Sequence, residues 1–269
     1  MRSLLREYAA LSLSVIGLSV SMSASALADV LPVQNLTFSD YSGPAPKDYF
    51  NTVDPADWYR GPVVNNDLVF IDAPGTATQY GGGANSFPVY GPFANPPPGG
   101  NFVQADGNPT YESQFKQDLT GLSVGTVYTL SFWQAAGQQQ GFSGPTTEQW
   151  LVFLGNDPVT VDCASSPCTV SDGSDEEDAS TVMDTPSEGV SAWNQVALSF
   201  TATAADETLS FLAWGDGGDT TNLPPTVFLA GVNSPSLVPE PATLSLLSVS
   251  LVGLGGVIRR RRARGNAAK

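Results

Sequence analysis

The sequence predicts an all-β exported domain. It is an antiparallel, jelly-roll-type β-sandwich of about eight strands, set between an N-terminal signal helix and a C-terminal transmembrane helix. Three observations lead there. No long apolar stripe of period 3.6 runs between residues 29 and 235, so amphipathic helices are not expected. Short runs alternate apolar and polar residues with period two, the pattern of half-buried strands. The chain also carries 27 Gly and 21 Pro, which punctuate these runs as turns and loops.

The first segment is a secretory signal. Arg2 and Arg6 precede an apolar stretch over residues 11–26, and Ala26-Leu27-Ala28 is a small-residue cleavage site. Cleavage is expected between Ala28 and Asp29, through the Sec translocon and signal peptidase, because the two arginines are separated and form no twin-arginine pair. The domain boundaries that follow are 1–28 for the signal, 29–233 for the β-sandwich and 234–241 for a linker. An apolar helix over 242–258 and a basic cytoplasmic tail over 259–269 end the chain.

The strands come next, in order. Asp67 to Asp72 has a continuously apolar centre, Leu68-Val69-Phe70-Ile71, as in a strand buried on both faces. Residues 74–100 hold Gly81-Gly82-Gly83 and Pro96-Pro97-Pro98-Gly99-Gly100 and read as long surface loops. Short strands follow at 101–105 and 112–119. The strand at 126–133 puts Tyr128, Leu130 and Phe132 on one face and Thr129, Ser131 and Trp133 on the other. Residues 134–147 read as a loop and 149–154 as a strand. An acidic loop is expected at 172–178, and alternating strands at 196–200, 208–214 and 227–232.

The tail is physically distinct. Residues 242–258 are uncharged and of a length at the short end of a membrane span. Arg259, Arg260, Arg261 and Arg262 follow at once, a cytoplasmic stop that a buried core helix would not carry. Before the span stands Val238-Pro239-Glu240-Pro241, whose prolines keep it extended and accessible.

Charge separates the parts. Between Asp29 and Pro241 there are three basic residues (Lys47, Arg60, Lys116) and 25 acidic ones, a net charge of −22. Such a surface repels nucleic acid and anionic lipid. The chain has no His, which excludes Ser–His–Asp and Cys–His catalysis. Its two cysteines, Cys163 and Cys168, lie five positions apart, a spacing read as a local disulfide in an exported chain. No cofactor is expected. Calcium is the one ion that the acidic clusters 172–178 and Asp216-Gly217-Gly218-Asp219 suit by ligand type, and neither matches the EF-hand pattern.

Two resemblances rest on these residues. The order Val238-Pro239-Glu240-Pro241, apolar helix, arginine cluster and chain end resembles the PEP-CTERM sorting signal of Gram-negative bacteria. That resemblance implies an exosortase partner acting at the Pro-Glu-Pro motif, a transient inner-membrane anchor, and release to the cell surface or the exopolysaccharide matrix. The segments Gln117-Asp118-Leu119-Thr120-Gly121-Leu122, Gly125 through Trp133, Trp193 through Phe200, and Leu209-Ser210-Phe211 resemble galactose-binding-like, carbohydrate-binding jelly rolls. This second resemblance implies a non-catalytic, polysaccharide-binding domain. Ala230 stands where such relatives often carry Asp, which removes the position on which their calcium site is built.

Sugars are bound by aromatic faces stacked on C–H faces and by amide or carboxylate groups bonded to hydroxyls. Trp58, Tyr90, Gln138, Gln140 and Trp150, in or beside loops, are the ligand candidates, with Tyr80 as a further loop aromatic. Trp133, Trp193 and Trp214 are expected in the core, and the Gln138-Gln139-Gln140 stretch also suits a solvated turn. A glycoside-cleaving carboxylate pair would draw on Glu112 and Glu148. With so many acidic residues any pair is easily found, so no catalytic residue is assigned. The remaining alternative is a structural surface protein acting through bulk and charge.

Overall fold

The computed structural model describes residues 28–41, 54–61, 68–79, 87–220 and 223–233. Signal residues 1–27, the sorting motif Val238, Pro239, Glu240 and Pro241, the apolar span 242–258, Arg259 to Arg262 and Tyr80 lie outside them. Among the described residues no helix is long and apolar enough to cross a membrane.

The described residues form β1 (Asp29–Val30), β2 (Tyr59–Arg60), β3 (Val69–Asp72), β4 (Phe102–Asp106), β5 (Gln114–Thr120), β6 (Val127–Gln138) and β7 (Thr146–Gly155). There follow β8 (Thr160–Asp162), β9 (Thr169–Ser171), β10 (Glu176–Ala179), β11 (Met183–Thr185), β12 (Asn194–Thr201), β13 (Asp206–Gly215) and β14 (Pro225–Ala230). Two short 3-10 turns, Pro109–Tyr111 and Asp216–Gly218, complete the elements. The eight expected strands correspond to β3 through β7 and β12 through β14.

Two six-stranded sheets make a sandwich. The first runs β12-β6-β14-β4-β3, with β1 added parallel to β6. The second runs β7-β13-β5-β2, with β10 and β11 both paired to β7. All pairs except β1 with β6 are antiparallel.

Alternation sends one set of side chains inward from each sheet. Leu130 and Phe132 of β6, Val227 and Leu229 of β14, Phe115 of β5, Trp150 and Val152 of β7 and Phe211 of β13 meet in one core. Phe211 is its centre. Its ring meets Phe132 at 5.3 Å and Trp150 at 5.9 Å, both near perpendicular, the edge-to-face geometry that aromatic quadrupoles favour.

The opposite face of each sheet carries an apolar patch, and each patch is covered. On the first sheet Phe102, Ala135, Phe228 and Ala230 are packed under Ala77, Val89 and Phe93 of the 74–100 segment. The described parts of that segment, 74–79 and 87–100, are therefore a cover fixed to the sheet, with the Trp193 N–H bonded to Ala94 O at 2.7 Å. On the second sheet Leu151, Phe153, Leu212 and Trp214 lie under the β8–β9 hairpin, whose tip is closed by the Cys163–Cys168 disulfide.

Three expectations change. The stretch 134–147 is not all loop, since β6 continues to Gln138 by pairing with β14. Gln134, Ala135, Ala136, Gly137 and Gln138 have weak strand propensity, and tertiary pairing overrides it. The acidic loop includes β10, because Glu176, Glu177 and Asp178 form an edge of β7 where their side chains stay largely in water.

The third change concerns Trp58, expected as a ligand platform. It is 3% exposed, stacked on Phe115 at 4.9 Å and 4° between planes, with its N–H bonded to Gln34 O at 3.0 Å. Both ring faces are spoken for by the core. Trp58→Ala is expected to lower the unfolding free energy by about 3–5 kcal/mol, the usual cost of emptying a buried aromatic site. Urea denaturation measures it, and binding should change only as far as the fold does.

Candidate functional site

The other sequence-chosen ligand candidates divide into two groups. Trp150 is fully buried, with its indole N–H bonded to Phe228 O at 3.1 Å across the two sheets. It ties the sandwich together and offers no face to a ligand. Tyr90, Gln138 and Gln140, by contrast, converge on one turn. The Tyr90 hydroxyl donates to Phe142 O at 3.0 Å and accepts from the Gly141 N–H at 3.1 Å. Gln140 Nε2 donates to Val89 O at 2.8 Å. Gln138 is buried, donating to Gly144 O at 2.7 Å and accepting from the Glu188 N–H at 2.6 Å. These amides are consumed in shaping the 139–144 turn between β6 and β7.

What that turn shapes is a cleft. At the start of β7, Pro145, Thr146 and Thr147 face Asp184, Thr185 and Pro186 at the end of β11, and Asp216 closes the third side. The cavity holds about 340 Å³, at the lower end of small-ligand sites. A smaller recess of about 90 Å³, sharing Thr147, continues past Glu148, Gln149, Val182 and Trp214. The lining combines hydroxyls, carboxylates and the C–H faces of two prolines.

Each wall has a local cause. Alternation along β7 turns Thr146 and Glu148 inward, and the pairing of β11 places Thr185 opposite Thr146 and Asp184 opposite Thr147. Asp216 opens the 3-10 turn after β13, and its Oδ1 accepts from the Thr147 N–H at 2.9 Å. That bond holds the turn against the first residues of β7.

Glu148 sits behind the cleft, 1% exposed. The Thr146 hydroxyl bonds one carboxyl oxygen, and the Thr185 hydroxyl bonds the other at 2.7 Å. Burial raises its pKa from 4.5 to about 8, the two threonine bonds pull it back, and the Asp216 and Asp184 charges push it up further. Glu148 is thus uncharged at neutral pH. Glu112, its expected partner, caps the Pro109–Tyr111 turn with left-handed backbone (φ 48°) and accepts a bond from the Val161 backbone. It does not line the cleft. Asp106, buried on β4, is likewise raised to about 7 by burial, against a lowering bond from the Asn108 N–H.

The remaining expected sites are placed as follows. Ala28 and Asp29 are exposed, Asp29 opening β1 beside Tyr128. Among the described residues no group of three or more His, Cys, Asp or Glu is arranged to hold a metal ion. Thr146, Thr147, Asp184, Thr185 and Pro186 carried no motif in the sequence. Asp216 stood out there only as half of an acidic cluster.

The cleft and the first and last described segments lie toward opposite ends of β6. The Asn233 side chain accepts from the Ser131 N–H at 2.9 Å and donates to Leu31 O at 2.8 Å, so the first and last described segments are tied beside the first half of β6. From Ser131 to Gln138, beside the cleft, is roughly 23 Å at about 3.3 Å per residue.

No protein family matches the chain, and no curated protein matches it. Solved structures give distant likenesses. The enzymatically active domain of tailspike protein 4 of bacteriophage CBA120 is 14% identical over 66% of this chain, with a TM-score of 0.34. TmCBM61, solved in complex with β-1,4-galactotriose, is 12% identical over 75% of this chain and 95% of its own, with a TM-score of 0.34. The arabinose-bound α-L-arabinofuranosidase MgGH51 is 16% identical over 76% of this chain, with a TM-score of 0.37. The chain spans 19% of the tailspike domain and 26% of the arabinofuranosidase.

The Glu148 environment has a measurable consequence. A carboxyl whose folded pKa lies above its unfolded value binds its proton more tightly when folded. Its contribution is complete below about pH 4.5 and is lost as pH rises toward about 8. Asp106 acts with the same sign between 3.8 and about 7. Unfolding free energy is therefore expected to fall from pH 4.5 to 8, and Glu148→Gln to flatten the upper part of that slope, read by urea titration at each pH.

Proposed function

We propose that this chain is an exported, non-catalytic polysaccharide-binding protein that takes a neutral glycan in the Thr146–Asp184–Asp216 cleft. The observation that carries the reading is the cleft itself. Threonine hydroxyls, two carboxylates and two proline faces line it, at the end of the sandwich remote from the tied first and last described segments. Carboxylates accept strong hydrogen bonds from sugar hydroxyls, and prolines offer apolar contact to ring C–H groups. Asp184 and Asp216, in a stretch (29–241) of net charge −22, disfavour uronates and sulfated sugars, so the ligand class is uncharged.

The address is the second half of the proposal. The chain crosses through Sec, loses residues 1–28 to signal peptidase and is held transiently in the inner membrane by residues 242–258. An exosortase acts at Pro239-Glu240-Pro241 and passes the domain to the cell surface or the extracellular matrix. The linker follows Asn233, which is tied beside the first half of β6, away from the cleft.

A second reading is favoured by one observation. A neutral Glu148 beside the Asp216 and Asp184 charges has the form of an acid poised next to a base, as in glycoside hydrolysis. Turnover of neutral oligosaccharides, abolished by Glu148→Gln, would establish it. Binding without turnover leaves the non-catalytic reading in place.

Two outcomes test the proposal. Affinity electrophoresis in gels containing neutral polysaccharides should show retardation, with Asp216→Ala weakening affinity about tenfold to hundredfold, the cost of a charge-assisted bond. No retardation in any gel leaves a structural surface protein as the better account. Replacing Pro239-Glu240-Pro241 with alanines should hold the protein in the inner-membrane fraction. Equal fractionation of both forms contradicts the sorting account.

A further inference from the structure

The cover on the second sheet ends at the cleft. The β8–β9 hairpin lies over Leu151, Leu212 and Trp214, and its disulfide-closed tip rests on the Asp216–Gly218 turn. Two hydrogen bonds join tip and turn. The Cys168 N–H donates to Gly218 O at 2.8 Å, and Ser166 Oγ donates to Asp219 Oδ1 at 3.0 Å. Gly218 is packed so closely that a Cβ there would stand 2.7 Å from Trp214 Cζ2 and 3.0 Å from Cys168 O.

Within the turn, one backbone bond, Asp219 N–H to Asp216 O at 3.1 Å, closes an unusual backbone path. Asp216, Gly217 and Gly218 are all left-handed, with φ of 47°, 62° and 90°. A non-glycine residue in that region persists only where its surroundings hold it. Asp216 is held on one side by the Thr147 N–H, and the turn on the other by the hairpin tip.

We infer that the Cys163–Cys168 hairpin positions Asp216 in the cleft, so that the ligand-competent wall exists only with the disulfide closed. The glycan affinity part of this inference rests on the reading above; the positioning part does not. The reverse step is ordinary thiol exchange. A dithiol reductant gives two electrons and two protons to the disulfide, leaving two cysteine thiols and itself becoming a cyclic disulfide. The six-residue tip is then an open loop, and its hold on Gly218 and Asp219 is lost. An oxidising compartment outside the cytoplasm keeps it closed.

The test uses the full chain, oxidised or treated with dithiothreitol, together with the Cys163→Ser/Cys168→Ser double variant. Amide hydrogen exchange is followed at Thr147, whose N–H reports the Asp216 bond, and at Val227 and Leu229, which report the core. Reduction is expected to speed exchange at Thr147 about tenfold while the core amides keep their rates, and the double variant to match the reduced chain. In Asp216→Ala, Thr147 exchange should already be fast and reduction should add nothing.

Unchanged Thr147 exchange overturns the inference. So does equal acceleration at Val227 and Leu229, which would make the disulfide a global staple, and so does a full response in Asp216→Ala. If exchange behaves as stated and the oxidised chain is not retarded by any neutral polysaccharide, the glycan reading fails and the positioning stands. If the chain binds glycan equally well oxidised and reduced, the claim that the ligand-competent wall needs the disulfide fails and the glycan reading stands.

Discussion

Strand β6 is the constraint on which the molecule depends. Its 12 residues are longer than either neighbour in its sheet needs, and its partners divide it. The first eight residues pair with β12 on one edge, and the last six with β14 on the other. The free part of that second edge, at Tyr128 and Thr129, is taken by β1, and Ser131 by Asn233. One strand therefore fixes where the chain enters, where it leaves, and where the cleft lies. Were β6 to stop at Trp133, as its sequence suggests, β14 would keep β4 but lose most of its pairing with β6, and the 139–144 turn would lose the Gln138 bonds that shape it.

The second organising fact is that each sheet carries an apolar patch on its outer face as well as an apolar inner face. A two-layer sandwich of this kind leaves its outer faces in need of cover, and the chain covers them without helices. The described residues 87–100 cover the first sheet's patch through Val89 and Phe93. The hairpin and its disulfide cover the second through Val159 and Cys168. Irregular and disulfide-closed segments thus contribute apolar burial that a layer of helix would supply in other folds. The net charge then concentrates on edges and loops, with Glu176, Glu177 and Asp178 on the exposed rim of β7. Acidic side chains at such a rim discourage pairing with another chain.

The fold was largely legible because its strands are regular. Period-two runs such as Tyr128, Leu130, Phe132 and Val196, Leu198, Phe200 fix both element and face, and each of these side chains points inward. Short strands were not legible. Asp29–Val30 and Tyr59–Arg60 are too brief for any period and exist only because β6 and β5 offer a free edge. The site was less legible still. A tryptophan beside Pro55 and Asp57 has the look of a loop aromatic, yet long-range packing on Phe115 buries it. Gln138 and Tyr90 were rightly placed near one another by neither period nor motif, and their contacts serve the turn. Thr146, Asp184 and Asp216 are ordinary in sequence and meet only through the pairing of β7 with β11 and the return of β13.

What emerges is a domain whose first and last described segments are tied beside the first half of β6 and whose cleft is framed by turns held by buried amides, a buried carboxyl and a disulfide-closed hairpin. The central claim is that the cleft, and not the tied segments or the aromatic cover, meets the glycan. Backbone NMR of the domain titrated with neutral oligosaccharides tests it most directly. The account predicts saturable shifts at Thr146, Thr147, Asp184, Thr185 and Asp216, with Val30 and Ser131 unmoved. Shifts confined to the tied segments or to the Phe93 and Trp193 cover would contradict it.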